Sequence, residues 1–173
     1  MGFDRQPQRR IFLDLDGVMA DFDRHFFDLF RVHSAGLIPP DLWGRIDSVP
    51  TFFRDLPICE GAAEFWDEIE HLNPVILTAC PRTNYASVAA QKRAWVQEHL
   101  SPHAMVLPVM GRKMKRHFMQ HPGEILIDDF ESNVHDWREA GGLGILHQAF
   151  DRTAMDLMAA GIGILPSKAG ARA

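Results

Sequence analysis

Cysteine is scarce in this chain. Cys59 and Cys80 are the only two among 173 residues, too few for a disulfide scaffold, so a reducing, cytoplasmic setting is expected. A membrane-length apolar run is also missing, and with it any expected span. The N-terminal stretch Met1 to Arg10 has no apolar h-region, so no secretory signal is expected. Gln6 stands where the myristoylation pattern needs Ser or Thr. There is no basic excess: the formal net charge is -5, which makes a nucleic-acid backbone a poor partner. Internal repeats are absent. What remains is a globular composition, 46% hydrophobic and 24% charged, of a length that suits one domain with a small insert. The small, polar tail from Ser167 to Ala173 is expected to fray.

Hydrophobic patterning then divides the chain. Ile11-Phe12-Leu13 reads as a buried strand that delivers Asp14 and Asp16 at its tip. Phe22, Phe26, Leu29 and Phe30 follow at helical spacing, so a helix is expected from about Asp21. From Gly36 to Pro57 the prolines and aromatics predict short helices and turns. Ala62 to Leu72 reads as a helix stopped by Asn73-Pro74. A second strand, Val75 to Thr78, leads into an expected loop from Ala79 to Asn84. Val88, Lys92, Trp95, Val96 and His99 mark a helix on which the Lys92 stem can cover apolar surface. Further strands are expected at Met105 to Leu107, Glu124 to Asp129 and Leu143 to Leu146. Gly141-Gly142 ends the helix that carries Val134 and Trp137, and Asp151 is expected to cap a last helix running to about Ala160.

Alternating strands and helices predict an α/β fold: a Rossmann-like, three-layer α/β/α core with a parallel sheet. The expected division is a core of residues 1–20 and 74–173 with a small helical cap, 21–73, inserted after the first strand. Ligands of such sheets bind at the carboxyl ends of the strands. There the sequence gathers Asp14 and Asp16, Thr78, the Arg112-Lys113-Met114-Lys115-Arg116 stretch, and Asp128 and Asp129. Four carboxylates at one edge call for a hard cation, and magnesium (Mg2+) suits carboxylate, water and phosphate oxygens. A lysine would hold phosphate, a hydroxyl and a strand-end amide at Thr78 would bind its oxygens, and one aspartate can attack as a nucleophile. A second carboxylate, two residues on, lies on the same side of an extended chain and can move the proton.

Asp-Leu-Asp-Gly-Val, Leu-Thr-Ala, a later lysine and Ile-Asp-Asp resemble the four motifs of the haloacid-dehalogenase (HAD) superfamily of phosphatases. The resemblance implies Asp14 as nucleophile and Asp16 as general acid/base. It also implies Asp14, the Asp16 carbonyl and Asp128 as magnesium ligands, Asp129 in support, and Thr78 and Ala79 as phosphate-binding. Lys113 and Lys115 both answer to the motif lysine; Lys115 is favoured because its spacing to Phe118 resembles the Lys-x-x-aromatic segment of close relatives. Asp16 disfavours halide removal, since the dehalogenase members lack this second aspartate. Asp-Gly-Val-Met-Ala-Asp-Phe-Asp, Phe-Phe-Arg-Asp-Leu-Pro, Lys-Arg-Ala-Trp-Val-Gln-Glu-His-Leu and Ile-Leu-Ile-Asp-Asp are similar, more closely, to the 5'(3')-deoxyribonucleotidase family. That likeness implies a cap over the site, a nucleoside monophosphate as the small phosphorylated partner, and aromatic residues on the base. Phe22 matches one aromatic position, and Trp43, Phe52 and Phe53 are looser cap matches. Thr78-Ala79-Cys80-Pro81 departs from the family's Thr-Ser-Pro.

Two rivals are weighed beside this expectation, a general sugar-phosphate phosphatase and a non-catalytic phosphate- or nucleotide-binding module. The presence of both Asp14 and Asp16 speaks against the second. Arg82 is weighed as a phosphate contact against a surface charge. Phe26 and Phe30 are expected to pack. His117 and His121 lack a third zinc ligand, Cys80 is read as loop filler, and the Gly141 to Gly144 run precedes a strand instead of following one.

Overall fold

The computed structural model describes residues 9–166. The expectations for the N-terminal segment before Arg9 and for the tail from Ser167 fall outside them. Within this span the strands are β1 (Ile11–Leu13), β2 (Val75–Cys80), β3 (Val106–Met110), β4 (Ile125–Asp128) and β5 (Leu143–Leu146). They form one parallel sheet in the order β3-β2-β1-β4-β5. The helices are α1 (Phe22–Phe30), α2 (Pro39–Asp47), α3 (Ala62–Ile69), α4 (Tyr85–His99), α5 (Glu131–Glu139) and α6 (Phe150–Ala159). A 3₁₀ helix spans Arg112–Phe118.

Apart from Thr78 in β2 and Asp128 at the end of β4, the strands are apolar because helices bury both faces of the sheet. Side chains alternate between two cores. Ile11, Leu13, Ile76, Ile125 and Ile127 join one cluster with Trp95 and Val96 of α4, Phe65 of α3 and Leu157 of α6. Phe12, Val75, Leu77 and Leu126 join the other with Trp137 of α5. Trp137 meets Phe12 edge-on at 5.1 Å and donates its indole N–H to the Glu124 carbonyl at 2.8 Å. Period-two alternation across a doubly covered sheet is the α/β Rossmann-like fold expected from the sequence.

Three expectations are corrected, the first being β3, which starts at Val106 and runs on to Met110, past the expected end at Leu107. Ala79 and Cys80 belong to β2, because β3 keeps pairing beside them: Ala79 lies opposite Val109 and Cys80 opposite Met110. Asp151 does not cap α6. The cap position is Ala149, and Asp151 lies in the first turn with its carboxylate on the Arg152 N–H at 2.7 Å. Asp21, by contrast, does cap α1, accepting from Arg24 N at 3.1 Å.

The strandless stretch between β1 and β2 is not uniform. α3 turns its buried side toward α6, and Phe65 meets Phe150 at 5.0 Å. α1 and the turn after α2 form an aromatic knot, with Phe52 touching Phe22 at 5.4 Å, Phe26 at 6.3 Å and Phe53 at 5.1 Å. No described helix is long and apolar enough to cross a membrane.

Candidate active site

Strand direction assembles the site. Asp14 follows β1, Asp128 ends β4 and Asp129 follows it; Thr78 lies near the end of β2. The 3₁₀ helix after β3 supplies Lys115 and α4 supplies Lys92. Oxygens of Asp14, Asp128 and Asp129 lie within 4.8 Å of one another, the one such metal-capable group among the described residues. Lys115 is buried between two of them, its ammonium 2.7 Å from Asp14 Oδ2 and 2.6 Å from Asp128 Oδ2. Asp14 Oδ1 accepts the Leu15 N–H at 2.8 Å. Asn133 of α5 and the Phe130 N–H complete the bonding of Asp128.

Lys92 makes a second buried pair. It is fully buried, and its ammonium donates to Asp16 Oδ2 at 2.5 Å, Thr78 Oγ1 at 2.9 Å and the Ala79 carbonyl at 2.7 Å. An ammonium has three N–H groups, and all three are used. Asp16 Oδ1 is left buried without a hydrogen-bond partner.

The electrostatics follow. Burial raises the Asp16 pKa, against the pull of Lys92, although about a quarter of the side chain (26%) opens to the cavity. Burial and then Asp14 raise Asp128, with Lys115 opposing. Asp129 is exposed by area but crowded by acids, and desolvation followed by Asp14 and Asp128 pushes it up to about 7. For Lys115, burial disfavours the charge, but Asp14 and Asp128 together outweigh it and raise the pKa. In their ionised forms four carboxylates meet two ammoniums here, an excess of two negative charges that one divalent cation would balance. The oxygen-only donor set is that of a hard cation.

The site opens into a cavity of about 540 Å³ whose wall on the α1 and α2 side is Phe22, Pro39, Leu42 and Trp43. Another cavity, of about 580 Å³, runs along β5 and α6. It contains none of the strand-end acids, and Arg138 in its wall donates to the Gly144 carbonyl at 3.0 and 2.7 Å.

A family model described as "5' nucleotidase, deoxy (Pyrimidine), cytosolic type C protein" matches residues 40–158, more than half of the chain. The chain belongs to this nucleotidase family. A Bordetella pertussis protein provisionally named a 5'(3')-deoxyribonucleotidase is 31% identical over 139 residues, covering 69% of this chain and 73% of that protein. The human 5'(3')-deoxyribonucleotidase, cytosolic type, is 28% identical over 144 residues, covering 69% and 70%. In fold, the chain is similar to a HAD family hydrolase from Deinococcus radiodurans crystallised with phosphate and sodium (TM-score 0.56, 12% identity, 93% of this chain and 99% of that one). It is also similar to a phosphonoacetaldehyde hydrolase-like protein from Oleispira antarctica (TM-score 0.52, 13% identity, 91% and 87%). This nucleotidase-family chain is therefore a phosphatase-type enzyme, on a fold shared with HAD family hydrolases.

The structure brings Asp14, Asp16, Ala79, Lys115, Asp129 and Phe22 to the cavity. Thr78 is fully buried beneath it with its hydroxyl on Lys92, and the Ala79 carbonyl is engaged by the same lysine. Lys113 and Arg82 are exposed. Trp43 joins the cavity wall, whereas Phe52 and Phe53 are buried packing. His117 and His121 are exposed and outside the acidic group.

The reading of Lys92 as a surface stem needs correction, because its ammonium reaches the site. A signal was available. Val88, Ala89, Lys92, Trp95 and Val96 are the buried stripe of α4. A lysine in a core stripe needs an acid from elsewhere in the fold, because a buried ammonium is costly unpaired.

Proposed function

We propose that this chain is a magnesium-dependent phosphomonoester hydrolase that works through an aspartyl-phosphate on Asp14 and acts on deoxyribonucleoside monophosphates. The observation that carries this reading is the pairing of Asp14 with Lys115 and of Asp16 with Lys92 at one sheet edge, under an aromatic-walled cavity. Asp14, Asp128 and Asp129, with the Asp16 carbonyl, would hold magnesium, which when bound offsets the charge on the phosphate and polarises it.

An Asp14 carboxylate oxygen attacks phosphorus, forming the O–P bond while the ester O–P bond breaks. Asp16 gives a proton to the leaving oxygen. Lys92 fixes the carboxylate through Oδ2, and about a quarter of the Asp16 side chain (26%) opens to the cavity where the leaving oxygen would lie. Water then attacks the phosphoenzyme, the Asp16 carboxylate takes the proton, and phosphate leaves with Asp14 regenerated. Leu15 N–H and Lys115 hold the Asp14 carboxylate in one orientation throughout. α1, α2 and the turn to Pro57 act as the cap, with Phe22 and Trp43 as flat apolar walls suited to a base. The human relative's name, "cytosolic type", supports a cytoplasmic setting.

A panel of phosphomonoesters assayed with magnesium tests the substrate. Deoxyribonucleoside monophosphates are expected to exceed sugar phosphates in kcat/KM by about tenfold or more, the scale of one buried aromatic contact. Equal rates would replace the nucleotide reading with the general phosphatase.

Gly17 tests the metal site. Its φ is +77°, and a Cβ there would lie 2.2 Å from Asp129 Oδ2. Gly17→Ala is expected to cost about 1–2 kcal/mol from the backbone alone. It should also weaken the magnesium-dependent rise in melting temperature, because Asp129 must leave the carboxylate group. A magnesium midpoint identical to wild type would remove Asp129 from the ligand set.

A further inference from the structure

One face of α4 grips the turn that follows α2. Gln91 Oε1 accepts the N–H groups of Phe53 at 3.1 Å and Arg54 at 3.2 Å, and its Nε2 donates to the Pro50 carbonyl at 3.0 Å. Ser87, one turn back, steadies the same amide at 3.2 Å. Trp95 donates its indole N–H to the Leu56 carbonyl at 2.6 Å, and Glu98 pairs with Arg54. Gln91 thus uses both ends of its amide on the backbone of a segment about forty residues away. Fixing a long polar side chain costs conformational entropy, and the fixed side chain here is the immediate neighbour of Lys92.

The turn so held presents the Phe53 ring 4.8 Å from the Lys92 ammonium. Phe53 is itself buried, and it helps leave Lys92 without exposure. With its three hydrogens on Asp16, Thr78 and Ala79, the ammonium meets a π face in place of water. If the turn moved away, water would compete for the same hydrogens.

We propose that Gln91 and Phe53 are positioning residues: Gln91 pins the 50–54 turn to α4 so that the Phe53 ring seals the Lys92 ammonium onto Asp16 and Thr78. The placement of this part of the cap is thereby coupled to the acid/base carboxylate. The kinetic part of this proposal rests on the phosphatase reading above; the structural part does not.

The experiment combines native-state reductive methylation with steady-state kinetics. Amine labelling is read by peptide mass spectrometry, with the buried Lys115 as internal control. In wild type both Lys92 and Lys115 are expected to resist labelling. Gln91→Met keeps length and helix propensity but loses the amide. It should raise Lys92 labelling about tenfold and leave Lys115 protected, as expected from losing hydrogen bonds of about 0.5–1.5 kcal/mol each. It should also lower kcat about tenfold with KM within about twofold. Gln91→Glu, which retains an acceptor for both N–H groups, should restore most of the protection and rate. Phe53→Leu, an independent variant on the other side of the contact, should expose Lys92 in the same selective way, and Phe53→Tyr should not.

Lys92 protected in both Gln91→Met and Phe53→Leu would overturn the proposal. So would Lys92 and Lys115 becoming reactive together, which is general opening. Selective Lys92 labelling in a protein that releases phosphate from no substrate would sustain the clasp and remove the phosphatase reading.

Discussion

Asp14→Asn is expected to lower phosphate release by about four orders of magnitude or more, since losing a covalent nucleophile can cost about six. The carboxamide matches the carboxylate in shape, and one end can still serve Leu15 N–H or Lys115, whose wild-type contacts are 2.8 and 2.7 Å. Lys115 keeps Asp128 at 2.6 Å as its counter-charge. The site should therefore stay assembled, at a cost of about 1–2 kcal/mol for the lost charged hydrogen bond. A carboxamide oxygen is a poor nucleophile and forms no stable acyl-phosphate. Circular dichroism and phosphate release, measured on the same preparation, separate loss of chemistry from loss of fold. A folded variant retaining a tenth or more of the wild-type rate would mean that another group attacks phosphorus.

Asp14 was legible in the sequence for a physical reason. A three-residue apolar run can be a buried central strand, and whatever follows it must lie at the sheet's carboxyl edge. The same reasoning located Asp16, Asp128 and Asp129, because in each case the informative neighbours are adjacent in the chain. Lys115 was legible only through its spacing to Phe118, since the residues that bury it, Asp14 and Asp128, come from two other strands. The strand assignment of Ala79 and Cys80 was hidden because it depends on β3, whose register opposite them is a long-range property. Asp151 was misread because a nearby acid and a true N-cap look alike in sequence, and only backbone geometry at Ala149 tells them apart. The stretch between β1 and β2 was read as one inserted cap, residues 21–73. Its division became visible only when α3 was seen packed toward α6 and the Phe52 knot toward α1.

Lys92 is the largest piece the sequence left unassigned, and Lys92→Met tests it with the second largest expected effect. Methionine fills much of the same volume, so packing against Phe53 should survive. The ammonium does not, and three acceptors lose their donor: Asp16 Oδ2, Thr78 Oγ1 and the Ala79 carbonyl. Removing one partner of a fully buried pair costs about 3–5 kcal/mol. Asp16 stays partly open to the cavity, and water can replace some of the lost bonds. About 2 kcal/mol is therefore the expected loss of stability. The rate should fall further, by about two to three orders of magnitude, as when a preorganised charge is removed from a reacting centre. Lys92→Arg should not rescue it, because a guanidinium has no room in a pocket that leaves the native ammonium fully enclosed. Lys113→Met, on an exposed neighbour of the site, should leave the rate within about twofold of wild type, as surface substitutions usually do. If Lys92→Met loses rate only in proportion to its unfolded fraction, the ammonium is a structural tie and not part of the reaction site. If rate falls while the folded fraction holds, the lysine that the sequence hid inside an ordinary helix stripe is the group that fixes Asp16 for proton transfer.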